Sequence, residues 1–227
     1  MLIRSDRWAG FAMRGSRPHQ ADRLYVQDDW LHSGSVIGIV ADGHGEDGDD
    51  AAEFASRRLP VLLRENGYAT GCPILSLTHA CEVIDMELKR RYKGGTTLVM
   101  FDHSPNRVVV AHVGDSRAAL VTRHHVIELT EDHQGYKGRL TRSLGDRASH
   151  VPSTPTVRII DKLHAGRWVL LATDEVWRVL DDHLMTSRAL AALLDRPTLV
   201  EARDALRALL HEDGQIENAS ALLLDVS

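Results

Sequence analysis

The chain has 227 residues, 43% of them apolar and 26% charged, with a formal net charge of −5. This length suits one large domain with a sizeable core. The negative balance argues against a basic nucleic-acid-binding stripe and suits cation binding better. No apolar run reaches the ~18 residues of a membrane span, and residues 1–7 lack the apolar core of a signal peptide. The expectation is a cytoplasmic, monomeric protein with neither a membrane nor a nucleic-acid partner. Cys72 and Cys81 have neither metal-site nor redox-motif spacing. They are expected as buried thiols of a reducing compartment, with one disulfide between them left open.

Along the chain, residues 8–13, 24–26 and 35–41 are candidate strands separated by polar turns. From Ala52 the apolar residues fall at 52, 55, 59, 62 and 63, a helical spacing, and Leu77, Cys81, Ile84 and Leu88 repeat it. Three strand-like runs follow at 96–101, 107–113 and 118–122; Ser104-Pro105-Asn106 supplies hairpin-turn chemistry between the first two. Strands return at 157–160 and 168–172, helices at 186–194 and 199–211, and "ASALLLDV" at 219–226 closes the chain as a strand. Strands, helices, strands, helices and a strand in that order predict an α+β fold with mostly antiparallel pairing. No repeat, low-complexity block or linker divides the chain, so residues 1–227 are read as a single domain.

The carboxylates fall at strand ends. Asp42 follows "VIGIVA" and opens Asp42-Gly43-His44-Gly45, where glycine permits positive φ and close approach of other groups. Asp115 ends "VVVAHVGD", Asp174 follows "WVLLAT", Glu217 precedes the last strand, and Asp22 stands just before "LYV". Acids at the ends of separate core strands can converge on one point, where like charges are costly unless cations neutralise them. Hard divalent cations prefer oxygen ligands, and two of them about 3.5–4 Å apart can activate a water. Taken singly, each acid reads more readily as a turn residue capping a loop; the five together, each beside an apolar strand, read less so. The stretch after Asp42 reads equally well as a strand-to-helix turn whose acids favour the helix dipole.

The order of motifs resembles a family, the metal-dependent protein serine/threonine phosphatases (PPM, type 2C). The resemblance rests on "GSRPHQADR" at 15–23, "VADGHGEDGDDAAEFA" at 40–55 and "GGTTLVMF" at 94–101. It continues through "AHVGDSRAALV" at 111–121, "LTEDHQ" at 129–134, "LTRSLGD" at 140–146, "LLATDEVWRVLDD" at 170–182 and "ENASALLLDV" at 217–226. It implies two antiparallel sheets packed as a sandwich, helix pairs on the outer faces and a metal centre at one end. It further implies a phosphoserine/phosphothreonine protein phosphatase that uses a metal-activated water, with two Mn²⁺ or Mg²⁺ ions and a weaker third. By this resemblance Asp42 bridges both metals, the Gly43 carbonyl completes one sphere, and Asp174 and Glu217 hold the first metal. Asp22 stands beside the second metal's waters, and Asp115 with Asp174 forms the third site. His44 matches the general acid, in need of a carboxylate partner, and Arg17 the phosphate-binding arginine. Arg117 and Arg142 are read as structural supports.

The chain departs from this pattern in four places. Ala21 stands where the family carries a metal-ligating glutamate. Glu175 replaces a glycine and is expected either to supply the missing carboxylate or to block the site. Glu217 replaces an aspartate. The flap segment is shortened near 135–140. These departures keep two other readings in play: a catalytically weak or inactive pseudophosphatase acting as a protein-binding module, and an enzyme of the same fold acting on a small phosphoester.

Overall fold

The structure, a computed structural model, describes residues 1–104, 107–147, 153–160, 167–182, 187–214 and 217–226. Strands β1 (Leu2–Arg4), β2 (Trp8–Met13), β3 (Arg23–Asp28), β4 (Val36–Ala41) and β5 (Gly43–Gly45) lead into helices α1 (Gly48–Glu65) and α2 (Pro73–Arg91). Strands β6 (Gly94–Thr96), β7 (Leu98–Ser104), β8 (Arg107–Val113), β9 (Arg117–Val121), β10 (Val126–Glu128), β11 (Thr156–Ile160) and β12 (Trp168–Ala172) come next. Helices α3 (Asp174–Asp182), α4 (Ser187–Leu194) and α5 (Leu199–Asp213) precede the final strand, β13 (Ala219–Asp225).

The strands form a six-stranded sheet in the order β1-β2-β13-β12-β9-β10 and a five-stranded sheet in the order β11-β8-β7-β4-β3. Every pairing within them is antiparallel. Side chains alternate faces along each strand, and that period sorts the core into layers. From β4, Val36 and Val40 point between the sheets, where they meet Val99, Leu171, Leu222 and Leu224. Ile37 and Ile39 point outward onto α1 and α2, among Leu59, Leu63, Leu77 and Ile84. On the other face, Phe11, Leu170 and Leu223 lie against Val176, Leu190, Leu206 and Leu210 of α3, α4 and α5. Each fully buried Leu or Ile contributes about 1.5–3 kcal/mol over its exposed state, so the three layers hold the sandwich together.

The expected α+β antiparallel sandwich is the fold observed, with α1 and α2 on one face and three helices on the other. Among the described residues β1, β5, β10 and α3 went unread, and the single strand expected at 96–101 is two, β6 and β7. Pro105 and Asn106 of the expected turn, and the first residue of the helix expected at 186–194, lie outside the described residues. Both cysteines are free, but only Cys81 is buried; Cys72 is exposed at the position capping α2, ahead of Pro73. Burial, and then Asp85 and Glu82, push the Cys81 thiol up to about 12. Among the described residues, no helix is long and apolar enough to cross a membrane.

Candidate metal and phosphate site

Strand register explains why the acids meet. Arg23 of β3 pairs with Ala41 of β4, so the residues one step beyond, Asp22 and Asp42, lie side by side. Ala172 of β12 pairs with Arg117 of β9 and with Ala221 of β13. Asp174, two residues past Ala172, therefore faces Asp115 on one side and the approach to β13, with Glu217, on the other. Ala219 of β13 pairs with Met13 of β2, which brings the loop carrying Arg17 over Glu217. One cavity of about 950 Å³ is lined by Arg17, Asp42, Gly43, His44, Asp115, Asp174 and Glu217, with Ala21, Gln134 and Glu175 also at its wall. Asp22 lies beneath it, 1% exposed.

The electrostatics follow from this crowding. Burial, and then the charges of Asp22, Asp174 and Asp115, hold the Asp42 carboxyl well above the usual carboxylate range. Burial pushes Asp22 up to about 7, and the Asp174 charge adds to it. Asp174 is open on its pocket side, but the protein behind it, and then Asp115, raise it too. The contact between Asp42 and Asp174 raises the former and lowers the latter. Asp22 Oδ2 accepts from Thr173 Oγ1 at 3.3 Å, while its buried Oδ1 has no partner. Asp115 accepts from Gln134 Nε2 at 2.9 Å.

Glycine is a steric requirement here. A Cβ at Gly43 would lie 1.9 Å from the Gly48 carbonyl oxygen, and one at Gly95 would lie 2.9 Å from His44 Cε1 and Nε2. Gly43-His44-Gly45 is not the plain strand-to-helix turn that its acidic sequel allowed. It pairs as β5 with Gly94–Thr96 of β6. Asp47, at the start of α1, makes no side-chain cap and accepts instead from Lys93 N at 2.7 Å. This ribbon seats the His44 ring over Gly95 with its Nε2 buried and unpartnered. Burial lowers the His44 pKa, while Asp146 and then Asp115 pull it upward.

Two expected site residues meet each other: Arg17 Nε donates to Glu217 Oε2 at 2.5 Å. Glu175 takes neither role expected of it. It is 2% exposed and turned toward Arg178. Ala21 contributes no side-chain oxygen, but its carbonyl borders Gly43, and its N–H donates to Asn218 Oδ1 at 2.7 Å. Arg117 makes a two-pronged pair with Asp132 at 2.8 Å and stacks over Trp177. Arg142 reaches toward His133. The segment after Gln134 is a tight turn, with Gln134 bridged to Leu140 and Gly135 N bonded to Arg139 O at 2.8 Å. Sequence reasoning missed Gln134 and Asn218 as site supports. Asn218, whose Nδ2 holds the Arg14 and His19 carbonyls, was flagged only by its place beside Glu217.

The donor set is all oxygen: the four aspartates, Glu217 and the backbone at Ala21 and Gly43. That chemistry, with an orphaned buried oxygen on Asp22, fits hard divalent cations. Among the described residues no three acidic, histidine or cysteine side chains already form a closed cage. Glu217 is drawn to Arg17.

Comparison with known proteins agrees with this arrangement. The sequence model of the family described as Protein phosphatase 2C matches residues 10–139. The chain is 32% identical to "Probable protein phosphatase 1N" of Mus musculus, over 80% of this chain and 56% of that protein. Its fold is similar to the serine/threonine phosphatase Stp1 from Staphylococcus aureus, with a TM-score of 0.78 at 20% identity over 100% of this chain and 97% of that one. It is also similar to the catalytic domain of the serine threonine protein phosphatase PstP, in complex with two manganese ions. There the TM-score is 0.73 at 22% identity, over 96% of this chain and 97% of that one. The chain spans about half the length of the curated relatives it matches. With more than half of its residues matched by the family's sequence model, and with the family's sandwich, the chain belongs to the protein phosphatase 2C family.

Proposed function

We propose that this chain is a metal-dependent protein phosphatase acting on phosphoserine and phosphothreonine. The observation that carries the reading is the meeting of Asp22, Asp42, Asp115 and Asp174 at one sandwich end, where burial and the neighbouring acids raise the carboxyl pKa of Asp22, Asp42 and Asp174. Such a group is costly in a binding surface and useful in a cation centre, which favours the enzyme over a binding module. Asp42, Asp174 and Glu217, with the Gly43 carbonyl, would hold one ion; Asp42, with Asp22 behind it, would face the second; Asp115 and Asp174 would hold a weaker third. The likeness to a two-manganese phosphatase supports Mn²⁺ or Mg²⁺. When bound, these cations lower the pKa of coordinated water and polarise the phosphoryl group.

The chain's own residues supply the rest. The Arg17 guanidinium matches the geometry of two phosphate oxygens and orients the phosphoryl group at the pocket mouth. The oxygen of water forms the new bond to phosphorus as the bond to the serine or threonine oxygen breaks. His44 lines the pocket and hands a proton to that departing oxygen. The products are inorganic phosphate and a free hydroxyl side chain. The Gln134–Leu140 turn replaces a long flap, so the substrate is held chiefly by Arg17 and the pocket wall.

The test compares phosphate release from a phosphothreonine peptide and from an aryl phosphate, both with Mn²⁺. Metal-dependent turnover of the peptide at the higher kcat/KM is expected. Turnover of the aryl phosphate alone would assign the site to small phosphoesters instead.

A further inference from the structure

Glu175 is a fully buried carboxylate with both oxygens committed. Its Oε2 accepts from Arg178 Nε at 2.6 Å. Its Oε1 accepts from Arg178 Nη2 at 3.1 Å and from the Glu217 backbone N–H at 3.1 Å. Arg178 Nη2 also donates to Asp213 Oδ2 at 3.0 Å, at the last residue of α5. A chain of charge-assisted bonds therefore runs from the end of α5, through the first turn of α3, to the segment that leads into β13. Buried carboxylates persist where their lone pairs are satisfied, and charge-assisted bonds are the stronger kind.

We propose that Glu175 is a positioning residue: it fixes the Glu217 backbone so that the Glu217 carboxylate reaches the cation held by Asp174. The inference rests on the metal reading above and names a residue that reading does not use. The geometry gives it a clear logic. Glu175 directly follows Asp174, so one turn of α3 carries one cation carboxylate and anchors the backbone of another. The Glu217 side chain is itself 44% exposed and pairs with Arg17. A cation that draws Glu217 away from Arg17 breaks that pair, and the backbone bond to Glu175 is what keeps the segment in place. Without it, a long and exposed side chain must be ordered at the moment of binding, which costs affinity. Outer-shell bonds of this kind typically alter metal affinity 10–100-fold when removed.

Two substitutions separate positioning from packing. Glu175→Met keeps the volume and removes the acceptor; Glu175→Gln keeps an acceptor for the Glu217 N–H and removes the charge. Asp213→Asn serves as a control that loosens only the α5 end. Mn²⁺ binding is measured by calorimetry, exchange of the Glu217 amide by NMR on metal-free protein, and folding by thermal melts. The expected result for Glu175→Met is Mn²⁺ affinity lower by about tenfold or more, with faster exchange of the Glu217 amide. Glu175→Gln stays within about threefold of the parent, and Asp213→Asn leaves affinity unchanged while lowering the melting temperature. A folded Glu175→Met protein that binds Mn²⁺ as the parent does overturns the inference and leaves the metal centre standing. A parent protein that binds no Mn²⁺ overturns both, and its flat titration tells that failure apart from the first.

Discussion

Arg17 and Glu217, 200 residues apart in the chain, meet at 2.5 Å between Nε and Oε2, so the group proposed to bind phosphate holds a group proposed to bind a cation. Each ligand must displace this contact, and either one frees the partner that the other ligand needs. On the proposed function, metal and phosphate binding are therefore coupled with positive sign. Exposed ion pairs of this kind are worth about 0.2–1 kcal/mol, so the coupling is a matter of a few-fold. Arg17→Ala is expected to tighten Mn²⁺ binding about two- to fivefold while raising the KM for a phosphothreonine peptide. Calorimetry and steady-state kinetics on the same variant check both halves.

Ala21 lines the pocket with a methyl group where an acid would face the second cation. Ala21→Glu adds the missing oxygen donor. The Mn²⁺ concentration needed for half-maximal activity is expected to fall by about tenfold, the worth of one outer or inner ligand contact. A metal requirement that stays the same would show that the Ala21 carbonyl already fills the role.

Gly43 has no room for a side chain. Gly43→Ala drives a Cβ to 1.9 Å from the Gly48 carbonyl oxygen, between two backbone segments that cannot rotate away. Overpacking of this kind costs about 3 kcal/mol. Chemical denaturation should show that loss together with loss of activity; a variant of parental stability would refute the packing argument.

The site was legible in the sequence to the extent that chemistry is local. Asp42, Asp115 and Asp174 each end an apolar, β-branched run, and such runs reveal both the strand and the acid that leaves it. The β5 strand was hidden because two of its three residues are glycines, which carry no strand preference; only its pairing with β6 makes it a strand. The α3 helix was hidden because it starts at Asp174, directly behind a strand, with no separating turn. Glu175 looked like a blocked or substituted ligand because a carboxylate beside the site has only those readings until Arg178 and Asp213 are placed against it. The Arg17–Glu217 pair belongs to the pairing of β13 with β2, and no local pattern announces it.

Acid stability offers a test that needs no metal. His133 stacks on His112 with ring centroids 4.4 Å apart, and its Nδ1 accepts from Gly114 N at 3.1 Å. Burial, then His112 and Arg142, push His133 down to about 4. The ordinary value in an unfolded chain is about 6.5. Between these two values the unfolded state binds the extra proton, so stability rises with pH across that window. The contribution is full above about pH 6.5 and is lost as pH falls toward about 4. Denaturation midpoints at pH 7, 5.5 and 4.5 should show His133→Gln losing less stability on acidification than the parent. Parallel losses would place the titrating group elsewhere.

The central claim is that Asp42 lies at the heart of a cation centre that hydrolyses phosphothreonine. The most direct test titrates Mn²⁺ from none to several millimolar against a phosphothreonine peptide, for the parent and for Asp42→Asn. The amide keeps the shape and stays neutral in the crowded group as the protonated acid does, so the metal-free variant should fold with the parent's stability. The account predicts saturable, Mn²⁺-dependent turnover in the parent and a loss of about a thousandfold in the variant, the scale of removing one preorganised electrostatic contact. Equal turnover in the two proteins, or turnover that is indifferent to the metal, would contradict it.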